Sequence, residues 1–121
     1  MHSKRAIEQL LALVRADPND MRTRLKLGDV YVRANEHAKA LEMYEEVGQF
    51  YAREGFMLKA IAVYKQMCTV IERDAPLLRR RYAHVPPILA ELFQRLGLDR
   101  DAVAALDALG PYLSNGRYGP S

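Results

Sequence analysis

The 121-residue sequence predicts an all-α fold of antiparallel helix-turn-helix repeats with about six to seven helices. Apolar residues recur at the spacing of amphipathic helices along most of the chain. Gly and Pro interrupt these stretches at positions where helices commonly stop. In addition, one pattern that contains a small residue, an aromatic residue and an alanine occurs three times. Together these observations indicate a helical repeat protein.

The repeated pattern has the same internal spacing in all three copies. A bulky residue precedes a small one, an aromatic residue follows three positions on, and an alanine and two bulky residues complete the set. The copies are Leu27, Gly28, Tyr31, Ala40, Tyr44, Val47; Val47, Gly48, Tyr51, Ala60, Tyr64, Met67; and Leu89, Ala90, Phe93, Ala102, Leu106, Leu109. Because glycine inside a helix costs about 1 kcal/mol relative to alanine, its recurrence indicates close packing between two helices.

The first three helices are bounded by ordinary stop and cap signals. Helix 1 is predicted over about residues 4–16, because Asp17-Pro18 ends it. Helix 2 begins after a cap at Asn19 or Asp20 and runs to about residue 34. Helix 3 is predicted over about residues 36–53, where Gly55 is placed to end it in a left-handed conformation.

The second half of the chain contains an irregular segment. Helix 4, about residues 56–73, ends before Ala75-Pro76. Residues 77–82 are expected to form a short helix, and His84-Val85-Pro86-Pro87 to form an extended or turning connection. Helix 5 covers about residues 87–96 with Gly97 behind it. Helix 6, about residues 100–109, is capped by Asp99 and ends at Gly110-Pro111. We expect one domain over residues 1–113 and a flexible tail over residues 114–121.

The first copy of the pattern resembles the tetratricopeptide repeat, a helix-turn-helix unit of 34 residues. Its residues Leu27, Gly28, Tyr31, Ala40 and Tyr44 match the family signature in order. Ala6 lies 34 residues before Ala40, as expected for the second half of a preceding repeat. The sequence departs from the family at Arg24, where the family prefers Trp, and in the spacing of the later copies. The resemblance implies stacked hairpins that act as a non-catalytic adaptor or scaffold.

The resemblance also implies a binding groove. In the family, the first helix of each repeat lines a concave surface that binds peptides or whole proteins. The matching positions here are Arg22, Leu25, Asp29, Val32, Arg33, Glu42, Glu45, Gln49, Ala52, Glu91, Gln94 and Arg95. The lysine and asparagine clamp that some members use for a chaperone's terminal carboxylate is missing, because Leu25 and Asp29 take the corresponding places.

Charge is nearly balanced, with 18 basic and 15 acidic residues and a net charge of +3. The densest positive run is Arg79, Arg80 and Arg81. As a functional site it predicts contact with an anion or an acidic partner, because guanidinium groups bind carboxylates and phosphates with paired donors. A solvated helix face is the simpler interpretation. Nucleic-acid binding through these arginines is an alternative function, although the charge balance disfavours it.

Both ends of the predicted array appear uncovered in the sequence. Helix 1 matches only the second half of a repeat, and helix 6 is apolar on nearly every side, whereas a terminal helix is usually polar outward. We therefore expect self-association, in the simplest case a homodimer through the end helices, at Leu10, Leu11, Val14, Val103 and Leu106. The alternative covers for the apolar end helices are a partner protein and, for helix 6, the chain's own end, through Tyr112, Leu113 and Tyr118.

No set of residues predicts catalysis, a cofactor or a metal site. The three histidines are isolated from one another and from other ligands. The single cysteine, Cys68, is expected to be a small core residue in a reducing compartment. With no apolar stretch long enough for a membrane span, the sequence predicts a cytoplasmic protein. A secretion or assembly chaperone and a fragment of a longer repeat array are the remaining alternatives.

Overall fold

The computed structural model describes residues 2–113, and all regular structure in that part of the chain is helical. Six α-helices of nine residues or more are followed by a helix of five residues. They are α1 (His2–Ala16), α2 (Met21–Arg33), α3 (His37–Arg53), α4 (Met57–Asp74), α5 (Val85–Arg95), α6 (Asp99–Asp107) and α7 (Leu109–Leu113). The predicted all-α class is confirmed.

Backbone contacts group the chain into two compact units, and the division falls inside α4. Unit 1 is Met1–Val63 and unit 2 is Tyr64–Ser121. In unit 1, α2 packs against both α1 and α3. In unit 2, α5 packs against α6, and α7 lies against the second of two 3-10 turns, Pro76–Leu78 and Arg80–Tyr82. One domain over residues 1–113 stays a prediction.

Each unit has a buried apolar core. No polar or charged residue of the described chain, taken as a whole side chain, falls among the buried residues. The core of unit 1 contains Val14, Met21, Leu27, Val30, Tyr31, Ala40, Leu41, Tyr44, Val47, Ala60, Ile61 and Val63. That of unit 2 contains Tyr64, Met67, Val70, Ile71, Ala75, Tyr82, Val85, Leu89, Ala90, Leu92, Ala102 and Tyr112. The apolar periodicity therefore predicted most of the buried faces.

The same backbone turn connects three pairs of helices. In each, the residue after the C-cap has a left-handed backbone, with φ of 61° at Asn35, 82° at Gly55 and 74° at Gly97. The next N–H donates to the carbonyl of the repeated aromatic residue: Glu36 to Tyr31 at 2.8 Å, Phe56 to Tyr51 at 2.8 Å and Leu98 to Phe93 at 2.9 Å. Each connection is thus a Schellman turn, which uses the free carbonyl groups at a helix end.

The repeated alanine is the fourth residue of the helix that follows each of these turns. Its N–H donates to the residue that closed the turn, from Ala40 to Glu36 at 3.0 Å, Ala60 to Phe56 at 2.9 Å and Ala102 to Leu98 at 3.0 Å. The constant spacing from the aromatic residue to the alanine is therefore set by the Schellman turn and the first turn of the helix that follows it. The predicted left-handed end at Gly55 is confirmed.

Close packing at the first small residue of the pattern is also confirmed. A Cβ atom built on Gly28 would lie 2.7 Å from Cε1 of Tyr44. The tyrosine ring therefore occupies the space that a side chain at position 28 would fill. Its hydroxyl donates a hydrogen bond of 2.6 Å to the carboxylate of Asp29, which holds the ring across α2.

The structure corrects several predicted boundaries in unit 2. α5 begins at Val85, so the connection predicted there is wrong; Pro86 and Pro87 lie in the first turn, where N–H groups have no intrahelical acceptor. Leu98 rather than Asp99 precedes α6. α7 includes Gly110-Pro111, because a proline is tolerated early in a helix. The short helix predicted over residues 77–82 is replaced by the two 3-10 turns.

The start of α2 is correctly predicted. The carboxylate of Asp20 accepts hydrogen bonds from the N–H of Thr23 at 3.2 Å and from its hydroxyl at 2.7 Å. These bonds favour the ionised carboxylate and lower the pKa of Asp20. Asp20 therefore caps the helix, as one of the two predicted candidates.

Candidate protein-binding surfaces

The predicted groove residues of α2 lie along one outward face. We call Arg22, Leu25, Asp29, Val32 and Arg33 the α2 stripe. Its three charged residues are exposed, and its two aliphatic residues are half-buried. Spacings of three and four residues place all five on one side of the helix. This surface combines aliphatic side chains with guanidinium groups.

One member of the α2 stripe also has a structural role. The carboxylate of Asp29 accepts the hydrogen bond from Tyr44 that fixes the ring across α2. The exposed charges of the stripe are those of Arg22, Asp29 and Arg33, so its net charge is positive.

The predicted groove residues of α3 face outward, away from the buried Tyr44. Glu42 and Gln49 are exposed, and Glu45 and Ala52 are half-buried. Gln49 lies in a shallow depression of unit 1 together with Arg24 and Arg53. The structure thus places it near the beginning of α2.

Arg24, which stands where the family resemblance predicts a tryptophan, lies in this depression. Arg24 forms an ion pair with Glu46 of α3, and its Nε donates to the carbonyl of Pro18 at 2.8 Å. An arginine at this place therefore joins the start of α2 both to α3 and to the preceding turn. A tryptophan has one N–H donor and no charge, so it could not form the ion pair and the second contact together.

The predicted groove residues of α5 belong to unit 2. Glu91, Gln94 and Arg95 are all exposed. Arg95 donates to Glu91 at 2.7 Å, so these two charges are paired along their own helix. An exposed pair at this spacing contributes about 0.3–0.5 kcal/mol.

The three consecutive arginines do not present one common face. Arg80 and Arg81 are exposed, and the guanidinium of Arg81 lies 5.9 Å from the ring centroid of Tyr82. Arg79 is half-buried, and its Nε is buried without a hydrogen-bond partner in the described chain. Successive side chains of a 3-10 turn point about 120° apart, which explains the difference. The arrangement does not favour nucleic-acid binding.

The predicted self-association residues differ in exposure. On α1, Val14 is only 9% exposed and belongs to the core of unit 1, so it is not the surface residue that we expected. α1 packs on α2, which covers that side of the helix. Leu10 and Leu11 are half-buried. On α6, Val103 and Leu106 are 58% and 51% exposed, as a contact surface requires.

An apolar cleft in unit 2 was not predicted from the sequence. It has a volume of about 360 Å³ and lies where α4, α5 and α6 meet. Ala104 and Ala105 of α6 and its C-cap residue Ala108 leave the cleft open, and Leu89 and Phe93 supply its bulkier wall. The small residues of α6 were the available signal. Their spacing along one helix does not indicate that they face another helix across a gap.

A polar pair at this cleft was also missed: the buried hydroxyl of Tyr112 and the half-buried thiol of Cys68, which lines the cleft. The hydroxyl of Tyr112 is buried and has no hydrogen-bond partner of ordinary geometry in the described chain. The thiol of Cys68 lies beside it. Burial raises the pKa of both groups. Cys68 is therefore a neutral and weakly nucleophilic thiol at pH 7. It is half-buried and is not part of the core, where we predicted it. Tyr118 lies outside the described residues, while Leu113 is exposed.

Across residues 2–113, no three His, Cys, Asp or Glu side chains come close enough together to hold a metal ion. Within the same range, no helix has the length and apolar character needed to cross a membrane. No protein-family model matches the chain, and no curated protein matches it either. The case for a binding surface therefore comes from the geometry.

Proposed function

We propose that the chain is a non-catalytic adaptor or scaffold of the tetratricopeptide type, with stacked helical hairpins that bind a protein or peptide partner in the cytoplasm. The α2 stripe is the observation that carries this proposal. It lies on the outer face of a helix whose other side is held by Tyr44 and by the core of unit 1. A rigid helix with an open mixed face is suited to binding another chain.

The chemistry of the stripe supports a partner of a particular kind. Arg22 and Arg33 offer paired N–H donors to carboxylates, while Leu25 and Val32 offer apolar contact between them. Arginine is enriched at protein interfaces, since its planar head group combines both types of contact. The matching partner is a peptide or helix that carries apolar residues flanked by Asp or Glu.

Two further features support the proposal. The three Schellman turns are what an array of similar hairpins requires at its connections. The single half-buried thiol of Cys68 suits a reducing compartment such as the cytoplasm.

The test is affinity capture from a lysate of the source organism with the whole chain as bait. We expect at least one protein to bind the wild type and to be lost with R22E/R33E, because two attractive charges become repulsive. The control is R5E/R15E, which makes the same change of charge at exposed positions of α1. Equal capture by all three baits would exclude the α2 stripe as the binding surface.

A further inference from the structure

The outward face of α6 has the pattern of one half of an antiparallel helix pair. Val103 and Leu106 are exposed apolar residues three positions apart, and they lie on a side of α6 that borders the one on which Ala102 is buried, since Leu106 follows Ala102 by one helical turn. In heptad terms they occupy adjacent core positions of α6, and Asp99 is the preceding position of the same seam. A seam of this kind is normally covered by a second helix.

A pair of opposite charges flanks this seam on one side. Arg100 and Asp107 are exposed and lie seven residues apart, which places them on the same flank of α6. Neither forms an ion pair within the part of the chain that the structure describes. Their separation is too large for them to pair with each other along one helix, since only spacings of three and four bring side chains together.

We propose that α6 is the interface of a symmetric homodimer, in which two copies of the chain pair their α6 helices antiparallel about a two-fold axis. In this geometry each flank of one helix faces the same flank of the other. Val103 of one copy then packs against Leu106 of its partner. Arg100 of one copy meets Asp107 of the partner, and the two-fold axis generates the same pair a second time.

A second copy is the occupant that the charges select. A flank with +1 at one end and −1 at the other is complementary to itself when reversed, and this is the condition for an isologous contact. The size of the surface sets the strength of the dimer. A helix of nine residues is about 13 Å long, so the contact is well below the standard interface size and the dimer is weak.

Charge reversal tests the proposal without disturbing the fold. R100E and D107R each turn both cross-dimer attractions into repulsions. Both residues are exposed, and each change places the new charge where the helix dipole favours it, near the start for Glu and near the end for Arg. The combined variant R100E/D107R restores two complementary pairs. An equimolar mixture of the single variants also restores both, but only in the heterodimer.

The measurement is sedimentation velocity of the whole chain at concentrations up to about 1 mM, where a weak interface is populated. We expect the wild type to dimerise and each single variant to lose about tenfold or more in affinity. The double variant and the mixture should recover it. R80E, a reversal at an exposed arginine outside α6, is the control and should change little.

Other results would overturn the inference. A wild type that stays monomeric throughout this range shows that the seam is not covered by a second copy, as happens if the chain's own end covers it. Association that both single variants retain shows that another surface is used. Because α6 is separate from the α2 stripe, either result leaves the proposed partner binding intact, and loss of partner capture leaves the dimer intact.

Discussion

The hairpins α2–α3 and α5–α6 have the same type of connecting turn, but their second helices differ in which positions are buried. Both turns are Schellman motifs closed onto the repeated aromatic residue. However, Tyr44 of α3 is 1% exposed, whereas Leu106, at the matching position of α6, is 51% exposed. The repeated pattern therefore fixes how two helices are connected. It does not fix whether the later positions of the pattern form core or surface.

The small residue explains part of this difference. Gly28 leaves space for the ring of Tyr44 to lie against α2. The matching residue of α5 is Ala90, which is buried and fills some of that space with its methyl group. With no aromatic ring to insert, position 106 is free to face outward. Tyr44 is therefore used to pack the α2–α3 hairpin, whereas the matching Leu106 of the α5–α6 hairpin is available for contact with another chain.

The largest expected effect is the loss of stability on removing the side chain of Tyr44, compared with removing that of Leu106. Tyr44→Ala should lower the free energy of unfolding by about 3–5 kcal/mol, because it removes a buried ring and leaves a cavity. Leu106→Ala should lower it by less than about 1 kcal/mol, because half of that side chain is already in water. Both values come from urea unfolding followed by circular dichroism.

These measurements need protein concentrations of a few micromolar (on the order of 1–5 μM), where a weak dimer makes no contribution to stability. Unfolding of the wild type under the same conditions is the control. Similar losses for the two variants would show that Leu106 is buried in solution and that the hairpins are equivalent after all.

A smaller effect concerns the glycine. Gly28→Ala brings a gain of about 1 kcal/mol in helix propensity, but its methyl group overlaps Tyr44, and overpacking typically costs about 1–3 kcal/mol. We expect a net loss of about 1 kcal/mol. In a Tyr44→Leu background, which copies the bulky residue of the third pattern, the same substitution should instead stabilise the chain.

The double-mutant cycle of these two positions isolates the contact between them. Ala90→Gly serves as the reciprocal control, since it should cost about 1–2 kcal/mol through lost helix propensity and the loss of a buried methyl group. Were Gly28→Ala to stabilise the chain in both backgrounds, the ring of Tyr44 would have room to move aside. The recurrence of the glycine would then need another explanation.

Sequence alone predicted the elements whose signals are local. The αL end at Gly55 and the cap at Asp20 depend on a few neighbouring residues, and both are found as expected. The start of α5 was missed because prolines stop a helix when they follow it but are tolerated in its first turn. A proline pair therefore looks the same in the sequence whether a helix ends before it or begins with it.

The surfaces were harder to predict, because exposure depends on which helices are near. Val14 and Leu106 both occupy apolar positions of amphipathic helices, yet one is core and the other surface. The cleft beside Ala104 and Ala108 requires three helices to meet at a distance that no single-helix pattern encodes. The charges of Arg24 and Glu46 are distant in sequence, so their ion pair was not visible there either.

The last comparison concerns the buried hydroxyls of the two units. The hydroxyl of Tyr44 donates a hydrogen bond to Asp29, whereas the hydroxyl of Tyr112 has no hydrogen-bond partner of ordinary geometry in the described chain. Tyr44→Phe should therefore cost about 1–2 kcal/mol. Tyr112→Phe should be neutral or stabilising by up to about 1 kcal/mol, because it removes a buried polar group that is poorly satisfied.

The hydroxyl of Tyr112 should make the free energy of unfolding depend on pH in the alkaline range. Burial raises the pKa of its hydroxyl, so the folded state keeps a proton that the unfolded chain loses above its ordinary value of about 10. Unfolding then releases a proton, and the free energy of unfolding falls as pH rises above about 10. In Tyr112→Phe this part of the decline is absent, so at pH 11 the variant should gain roughly 1 kcal/mol relative to the wild type, beyond any difference at pH 7. Parallel stability curves from pH 7 to about pH 11 would mean that the hydroxyl is reached by solvent or ionises normally within the fold.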